Sequence, residues 1–211
     1  MPRVLLAAAA MLLGAAPPAM AQDDEPIGRF VADLRGSFVR FGQQPGLARS
    51  HGFRPHAAPS IGFGVDAGAH VYPLRWRFVT FGLGAAYHAS FGDRGARPDD
   101  VDPDGPTLRK TFRAVSPQLS LNFGGRDGWS YLSGGVGMSR LALFPRDGEQ
   151  PARRFARTLN YGAGARWFVK RHLAFSLDLR FHSVSPLQPT ATAPASPRLT
   201  LMVLSVGASF R

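Results

Sequence analysis

A histidine and two serines late in the sequence are the first residues whose types could support catalysis. His182 is followed directly by Ser183, and Ser185 lies three positions after the histidine. Nucleophilic catalysis needs a base and a nucleophile within hydrogen-bond reach. On a strand, side chains share a face only when they are two residues apart, or a multiple of two. Neither serine meets that spacing, so the sequence predicts no catalytic residues and no enzyme.

Two further groups contain residue types that bind metal ions. His51 and His56 lie in one long polar segment, but zinc sites need a third ligand that this segment does not offer. A later acidic segment has the oxygen ligands that calcium prefers, but its spacing is irregular and Pro103 interrupts it. Its members are Asp99, Asp100, Asp102 and Asp104. We therefore expect no metal and no cofactor.

Strands are the elements that would hold these residues, because apolar and polar positions alternate with a period of two. In residues 30–41, Phe30 and Leu34 share one face and Asp33 and Arg35 share the other. The alternation predicts eight strands, at residues 30–41, 61–72, 79–88, 112–123, 129–141, 158–167, 173–182 and 199–210. The facing of the fifth is ambiguous, because that segment is rich in glycine. The predicted fold class is all-β.

Six charged residues, three acidic and three basic, fall on the polar faces of these strands. They are Asp33, Arg35, Asp66, Arg166, Asp178 and Arg180. An eight-stranded barrel has a lumen that side chains can just fill, and charges held there must pair or stay hydrated. We expect a salt-bridged network that closes the lumen. A tight turn at residues 170–172 would set Arg166 opposite Ser176 and place Asp178 between Arg166 and Arg180.

The connections between the predicted strands alternate strictly in length. The long polar ones are residues 42–60, 91–110, 145–156 and 185–197, and the short ones are residues 73–77, 124–128 and 170–172. This order is typical of a transmembrane barrel with long external loops and short periplasmic turns. A soluble sandwich has no reason to keep it.

Aromatic residues gather at the predicted strand ends. All three tryptophans lie in or beside a short turn, and Phe30 lies at the same end. Near the other rim lie Phe38, Phe63, Tyr87, Phe112 and Phe181. Aromatic girdles flank the apolar band of membrane barrels on both sides. We expect a periplasmic aromatic belt made of Trp76, Trp129, Trp167 and Phe210.

The first residues have the features of a secretory signal peptide. Arg3 precedes an apolar run over residues 4–16, and Ala19-Met20-Ala21 is a cleavage site of small residues. The run is too short to span a bilayer as a helix. We expect residues 1–21 to be removed and residues 22–211 to form a single barrel domain.

The composition narrows the class of partner. The chain has no cysteine, which excludes a disulfide scaffold. Its net charge of +11 would suggest nucleic acid in a cytosolic protein, but export argues against that partner. Outer-membrane lipids and the phosphates of lipopolysaccharide are the expected counterions. The alternative is a solvated basic surface with no specific partner.

Several strand segments resemble the outer-membrane β-barrel domain family, the OmpA/OmpX-like eight-stranded barrels. They are FVADLRG at residues 30–36, LSLNFG at residues 119–124 and NYGAGARW at residues 160–167. The resemblance covers essentially all of residues 22–211. It implies an eight-stranded antiparallel up-and-down transmembrane β-barrel in the bacterial outer membrane, present as a monomer. It also implies insertion by the barrel-assembly machinery, which reads an aromatic residue near the end of such barrels, here Phe210.

The resemblance leaves three functions open. We expect a structural or surface-interaction role whose specificity lies in the long loops. A lipid A-modifying enzyme is the first alternative, because two such enzymes share this architecture. A deacylase of that kind carries a His-x-Ser pair on a late strand, which His182 and Ser183 do not match. A small-solute channel is the second alternative.

Overall fold

A computed structural model describes residues 27–42, 45–54, 57–95, 105–151, 153–191 and 194–211. Within these residues the chain forms one short helix and eight strands: β1 (Phe30–Arg40), α1 (Pro45–Ser50), β2 (Ile61–Trp76), β3 (Val79–Arg94), β4 (Leu108–Gly125), β5 (Gly128–Pro145), β6 (Ala156–Lys170), β7 (Leu173–Val184) and β8 (Leu199–Phe210). Each strand pairs antiparallel with the next, and β1 pairs with β8 to close the barrel. The predicted all-β, eight-stranded fold is confirmed. The predicted signal peptide lies outside the described residues.

The strands form because their side chains alternate between two different surroundings. In β1 the burial alternates at every position. Phe30 and Leu34 are 55% and 59% exposed, while Asp33 and Arg35 are both 4% exposed. A water-soluble barrel would turn its apolar residues inward. Here most of the apolar residues form the outer wall, and the charged and polar residues line the middle of the lumen.

Six strands, β2 to β7, run further than the sequence predicts. β2 continues past Pro73 to Trp76, so the predicted turn at residues 73–77 shrinks to residues 77–78. The pairing with β3 changes register between Val71 and Leu74, and such an irregularity tolerates a proline that lacks an N–H donor. β3 and β4 stay paired out to Arg94 and Leu108. The predicted long connection at residues 91–110 is therefore confined to residues 95–107.

The connections sort to opposite ends of the barrel. We call the end that carries the turns at residues 77–78, 126–127 and 171–172 the turn end, and the opposite end the loop end. Helix α1 lies in the first long connection and was not predicted. It buries Leu47 and Ala48, so this connection packs onto the barrel. Among the described residues, no helix is long and apolar enough to cross a membrane.

Apolar side chains fill the lumen at both of its ends. The turn-end cluster consists of Ile27, Val31, Trp129 and Tyr131, with Tyr72 and Phe168 packed against it. The loop-end cluster includes Val39, Phe41, Leu47, Phe112, Val184, Leu201 and Val203. Charged and polar side chains occupy the space between the two clusters. The candidate functional site lies in this middle layer.

Candidate functional site

All six charged residues of the predicted network point into the lumen. None of them is more than 4% exposed. Their strands position them by simple alternation, since Asp33 and Arg35 are two residues apart on β1 and Asp178 and Arg180 are two residues apart on β7. Asp66 of β2 and Arg166 of β6 complete the set. The structure therefore brings together three carboxylates and three guanidinium groups.

Asp33 is the most heavily bonded carboxylate. Arg166 donates from Nε and Nη2 to its two oxygens, at 2.9 and 2.6 Å. Ser209 Oγ donates to it at 2.5 Å, and Arg35 Nη2 lies 2.8 Å away. Paired charge-assisted bonds of this kind are the strongest that arginine makes. The hydrogen bonds to Asp33 connect β1 to β6 and β8.

This arrangement corrects the predicted partner of Arg166. The predicted register is confirmed, because Arg166 lies opposite Ser176. Its guanidinium nevertheless binds Asp33 instead of Asp178. The ring of Tyr131 covers that guanidinium, with its centroid 4.2 Å from Cζ, and the Tyr131 hydroxyl itself donates to Asp178 at 2.7 Å. The position beside Asp178 is therefore taken by a tyrosine that the sequence analysis did not assign.

Arg35 lies at the centre of the network. Its Nη1 donates to Asp66 at 2.8 Å, and its Nε donates to Ser176 at 3.1 Å. Its Nη2 also reaches the Tyr131 hydroxyl, at 3.3 Å. The Arg35 guanidinium thus bonds to residues on three other strands, and these hydrogen bonds fix its position.

Arg180 extends the network toward the loop end. Its Nε and Nη2 bind the two oxygens of Asp178, at 3.1 and 3.0 Å. Its Nη1 donates to Asn160 and its Nη2 to Ser133, both at 2.9 Å. Gln118 of β4 also donates to Asn160, at 2.9 Å. The hydrogen bonds of the network therefore involve every strand except β3, whose His88 Nδ1 lies 3.9 Å from Asp66. Its six ionic members together carry no net charge.

Tyr131 was not predicted as a lumen residue because the sequence pattern of its strand leaves the facing ambiguous. Alternation from Trp129 through Tyr131 to Ser133 places all three inside. A glycine makes room for the tyrosine, since a Cβ at Gly164 would collide with the Tyr131 hydroxyl. Inward-facing glycines opposite a large polar residue are the signal that could have resolved the strand.

The catalytic and metal candidates do not assemble into a site among the described residues. His182 faces the lumen and contacts His88 and Phe112, at ring-centroid distances of 5.7 and 5.2 Å. Ser183 occupies the alternate face of β7. No group of three metal-binding side chains occurs in the described ranges. Burial and the charge of Arg154 lower the pKa of His51 in the first long connection, whereas His56 and the four loop aspartates lie outside the described residues.

The predicted aromatic belt is wrong in one member. Trp76, Trp167 and Phe210 are exposed on the outer wall at the turn end, but Trp129 is only 3% exposed and lies inside. Its neighbour Ser130 takes the outward position instead, and the indole stacks on Phe168 at a centroid distance of 5.1 Å. Phe112, expected at the opposite rim, is also buried in the lumen.

Comparison with known proteins supports the fold alone. The sequence matches no protein-family model and none of the curated proteins. The crystal structure of Neisserial surface protein A is similar, with a TM-score of 0.54 and 11% identity over 86% of this chain and 96% of that one. The structure of Ail, the attachment invasion locus protein of Yersinia pestis, has a TM-score of 0.52 and 12% identity over 87% of this chain and 98% of that one. The protein therefore has the fold of the eight-stranded outer-membrane barrels, as its resemblance to OmpA/OmpX-like proteins implied.

Proposed function

We propose that this protein is a bacterial outer-membrane barrel with a structural or surface-interaction role and a lumen closed to solutes. The burial of the side chains that face the lumen is the observation that carries this proposal. The charged network fills the middle layer, and apolar clusters cover it at both ends. A channel needs a continuous water-accessible path, whereas the charged side chains of this layer are each at most 4% exposed. The outer wall and the connections are then the surfaces through which the protein acts.

The exposed apolar surface supports a membrane location. Outward-facing leucine, valine and phenylalanine side chains occur on every strand, many of them about half exposed. Strands of 11 to 18 residues are as long as or longer than the roughly 9–11 residues that a tilted strand needs to cross a bilayer. In water such a wall would drive aggregation. In a bilayer this apolar wall faces lipid and needs no protein partner.

Three arginines on the outer wall support lipopolysaccharide as a partner. Arg113 and Arg140 lie directly opposite each other on β4 and β5, and Arg157 follows on β6. Like charges in this position repel, and no carboxylate of the described residues forms an ion pair with any of the three. Each arginine lies two residues closer to the loop end than an exposed apolar side chain. That side chain is Val115 for Arg113, Met138 for Arg140 and Leu159 for Arg157. A phosphate at the outer edge of the apolar wall would satisfy all three charges.

Removal of two of these arginines tests the interaction. We expect Arg113→Gln with Arg157→Gln to lower the amount of lipopolysaccharide that co-purifies with the barrel about three- to ten-fold, as loss of charge-assisted bonds implies. The matched control, Arg75→Gln with Lys170→Gln, removes two positive charges at the turn end and should change nothing. Equal retention by both variants would contradict the proposed partner.

The same geometry argues for a binding role instead of lipid A modification. An outer-wall enzyme needs a base and a nucleophile together on the lipid side, whereas His182 faces the lumen. Lipid A from cells with and without the protein should therefore have the same acyl pattern by mass spectrometry. A changed pattern would favour the enzyme.

A further inference from the structure

Two histidine rings meet across the lumen at the boundary between the charged middle layer and the loop-end cluster. His88 on β3 is 2% exposed and His182 on β7 is 4% exposed. Their ring centroids lie 5.7 Å apart, and the ring of Phe112 packs against both, at 5.7 Å from His88 and 5.2 Å from His182. Phe112 belongs to the loop-end cluster. The histidine pair therefore joins β3 to β7 directly below this cluster.

The two rings are poorly supplied with hydrogen bonds. His88 Nε2 lies 3.1 Å from Ser90 Oγ. His88 Nδ1 and both ring nitrogens of His182 have no hydrogen-bond partner among the described residues. A buried charge without such partners is costly. The observed contact is therefore the packing of two neutral rings.

The charged groups that face the pair come from β2 and β7. Asp66 Oδ2 of β2 lies 3.9 Å from His88 Nδ1. The charges of Asp178 and Arg180 on β7 act on both rings. The other strand-pairing neighbours of the two histidines are uncharged, and they are Ala114 on β4, Asn160 on β6 and Leu201 on β8.

Neither of the two carboxylates is available to balance new positive charge in full. Asp66 accepts a hydrogen bond from Arg35, and Asp178 accepts two from Arg180. The six ionic side chains of the network are already balanced. A second proton on each ring would therefore add two positive charges that repel each other and Arg180.

We propose that His88 and His182 form an acid-sensitive latch. While both rings are neutral, their contact keeps the loop-end half of the lumen packed. When both rings are protonated, they separate and water enters this half of the lumen, while the strands stay paired. The inference rests on the proposed function only in that the lumen is closed, and the conductance of the protein at neutral pH tests that closure separately.

The sign of the pH dependence follows from the difference between the folded and unfolded states. The folded barrel resists the two protons, whereas the unfolded chain accepts them near the ordinary imidazole pKa of about 6.5. Stability that is present above this pH is therefore lost as the pH falls below it. Between about pH 7.5 and about pH 5.5, each resisting ring should lower the folding equilibrium constant about ten-fold, and the pair about a hundred-fold.

Urea unfolding of the purified barrel in detergent, at these two pH values, tests the latch. His182→Phe is the main variant, because a phenyl ring has a similar shape and no hydrogen bond is lost. It should unfold at the wild-type midpoint at neutral pH and lose most of the acid-induced drop, since Asp66 can offset a proton on His88 alone. A drop as large as in the wild type would overturn the proposal. A drop that is only halved would indicate two independent imidazoles and would overturn it as well.

His70→Phe is the matched control. His70 is also buried in the lumen, but its Nδ1 lies 4.0 Å from Asp33, so a proton there meets a carboxylate instead of a second imidazole. This variant should keep the acid-induced drop of the wild type. Loss of the drop in His70→Phe, with retention in His182→Phe, would assign the acid sensitivity to the wrong histidine for a latch.

The ring of Phe112 provides a local measurement, because it contacts both histidines. Its NMR signal should shift on acidification in the wild type and stay in place in His182→Phe. Heat-modifiable gel mobility at both pH values reports whether the barrel remains folded. An unchanged Phe112 signal in the acidified wild type, or loss of the folded form of the whole barrel, would overturn the latch.

Discussion

At the scale of single residues, the chain offers two similar ion pairs in different surroundings. Arg180 binds Asp178 through two bonds in the lumen. Arg109 binds Asp93 through two bonds of 2.7 Å on the exposed ends of β3 and β4. The lumen pair is almost fully buried, while the side chains of the outer pair are about a quarter exposed. Solvent screening should make the outer pair contribute far less to stability.

Loss of the carboxylate should therefore have very different effects at the two positions. We expect Asp178→Ala to lower the free energy of unfolding by about 3–5 kcal/mol, less whatever water in the lumen recovers. The cause is the unpaired charge left on Arg180. Asp93→Ala is the matched control and should change the urea midpoint of the folded barrel only slightly. Equal midpoints for the two variants would contradict a network that stabilises the barrel.

At the scale of the strands, small residues decide how the lumen is filled. Gly164 on β6 faces the Tyr131 hydroxyl and the carbonyl oxygen of Leu177, and both would collide with an added Cβ. Gly36 on β1 faces outward, where a Cβ would meet only the oxygen of Val206, at 3.9 Å. Changing glycine to alanine therefore adds a Cβ to a crowded site at Gly164 and to open space at Gly36.

Gly164→Ala should lower the stability of the barrel by about 1–3 kcal/mol, a usual cost of overpacking. It should also shift the near-ultraviolet signal of Tyr131, because the ring must move. Gly36→Ala should leave both measurements unchanged. If Gly164→Ala proves as stable as Gly36→Ala, the packing of Tyr131 over Arg166 is not as described.

For the strands, the sequence pattern predicted some lumen residues and strand ends correctly and others wrongly. Alternation placed all six lumen charges correctly, because each lies on a strand with a clear apolar face. It could not place Tyr131 or Trp129, because glycines obscure the two faces of β5. It also ended β2 too early at Pro73, since an irregular register that tolerates proline leaves no mark in the residue pattern. The partner of Arg166 depends on contacts across the lumen, which local spacing does not encode.

At the scale of the whole molecule, the long connections and the short turns define two distinct ends. If the loop end faces outward, trypsin added to intact cells should cut after Arg146 or Arg153 in the third long connection, where both are exposed. An epitope tag inserted between Arg126 and Asp127 should stay hidden until the outer membrane is permeabilised. Access to the tag in intact cells, with no cleavage in the long connection, would reverse the orientation.

Conductance in planar bilayers tests the closed lumen most directly. Eight strands leave a bore that side chains can fill, and here a neutralised network and two apolar clusters occupy it. Folded wild-type protein, verified by heat-modifiable mobility of the same sample, should therefore insert without producing a large steady conductance. A stable, wide channel in the wild-type protein would contradict the closed lumen.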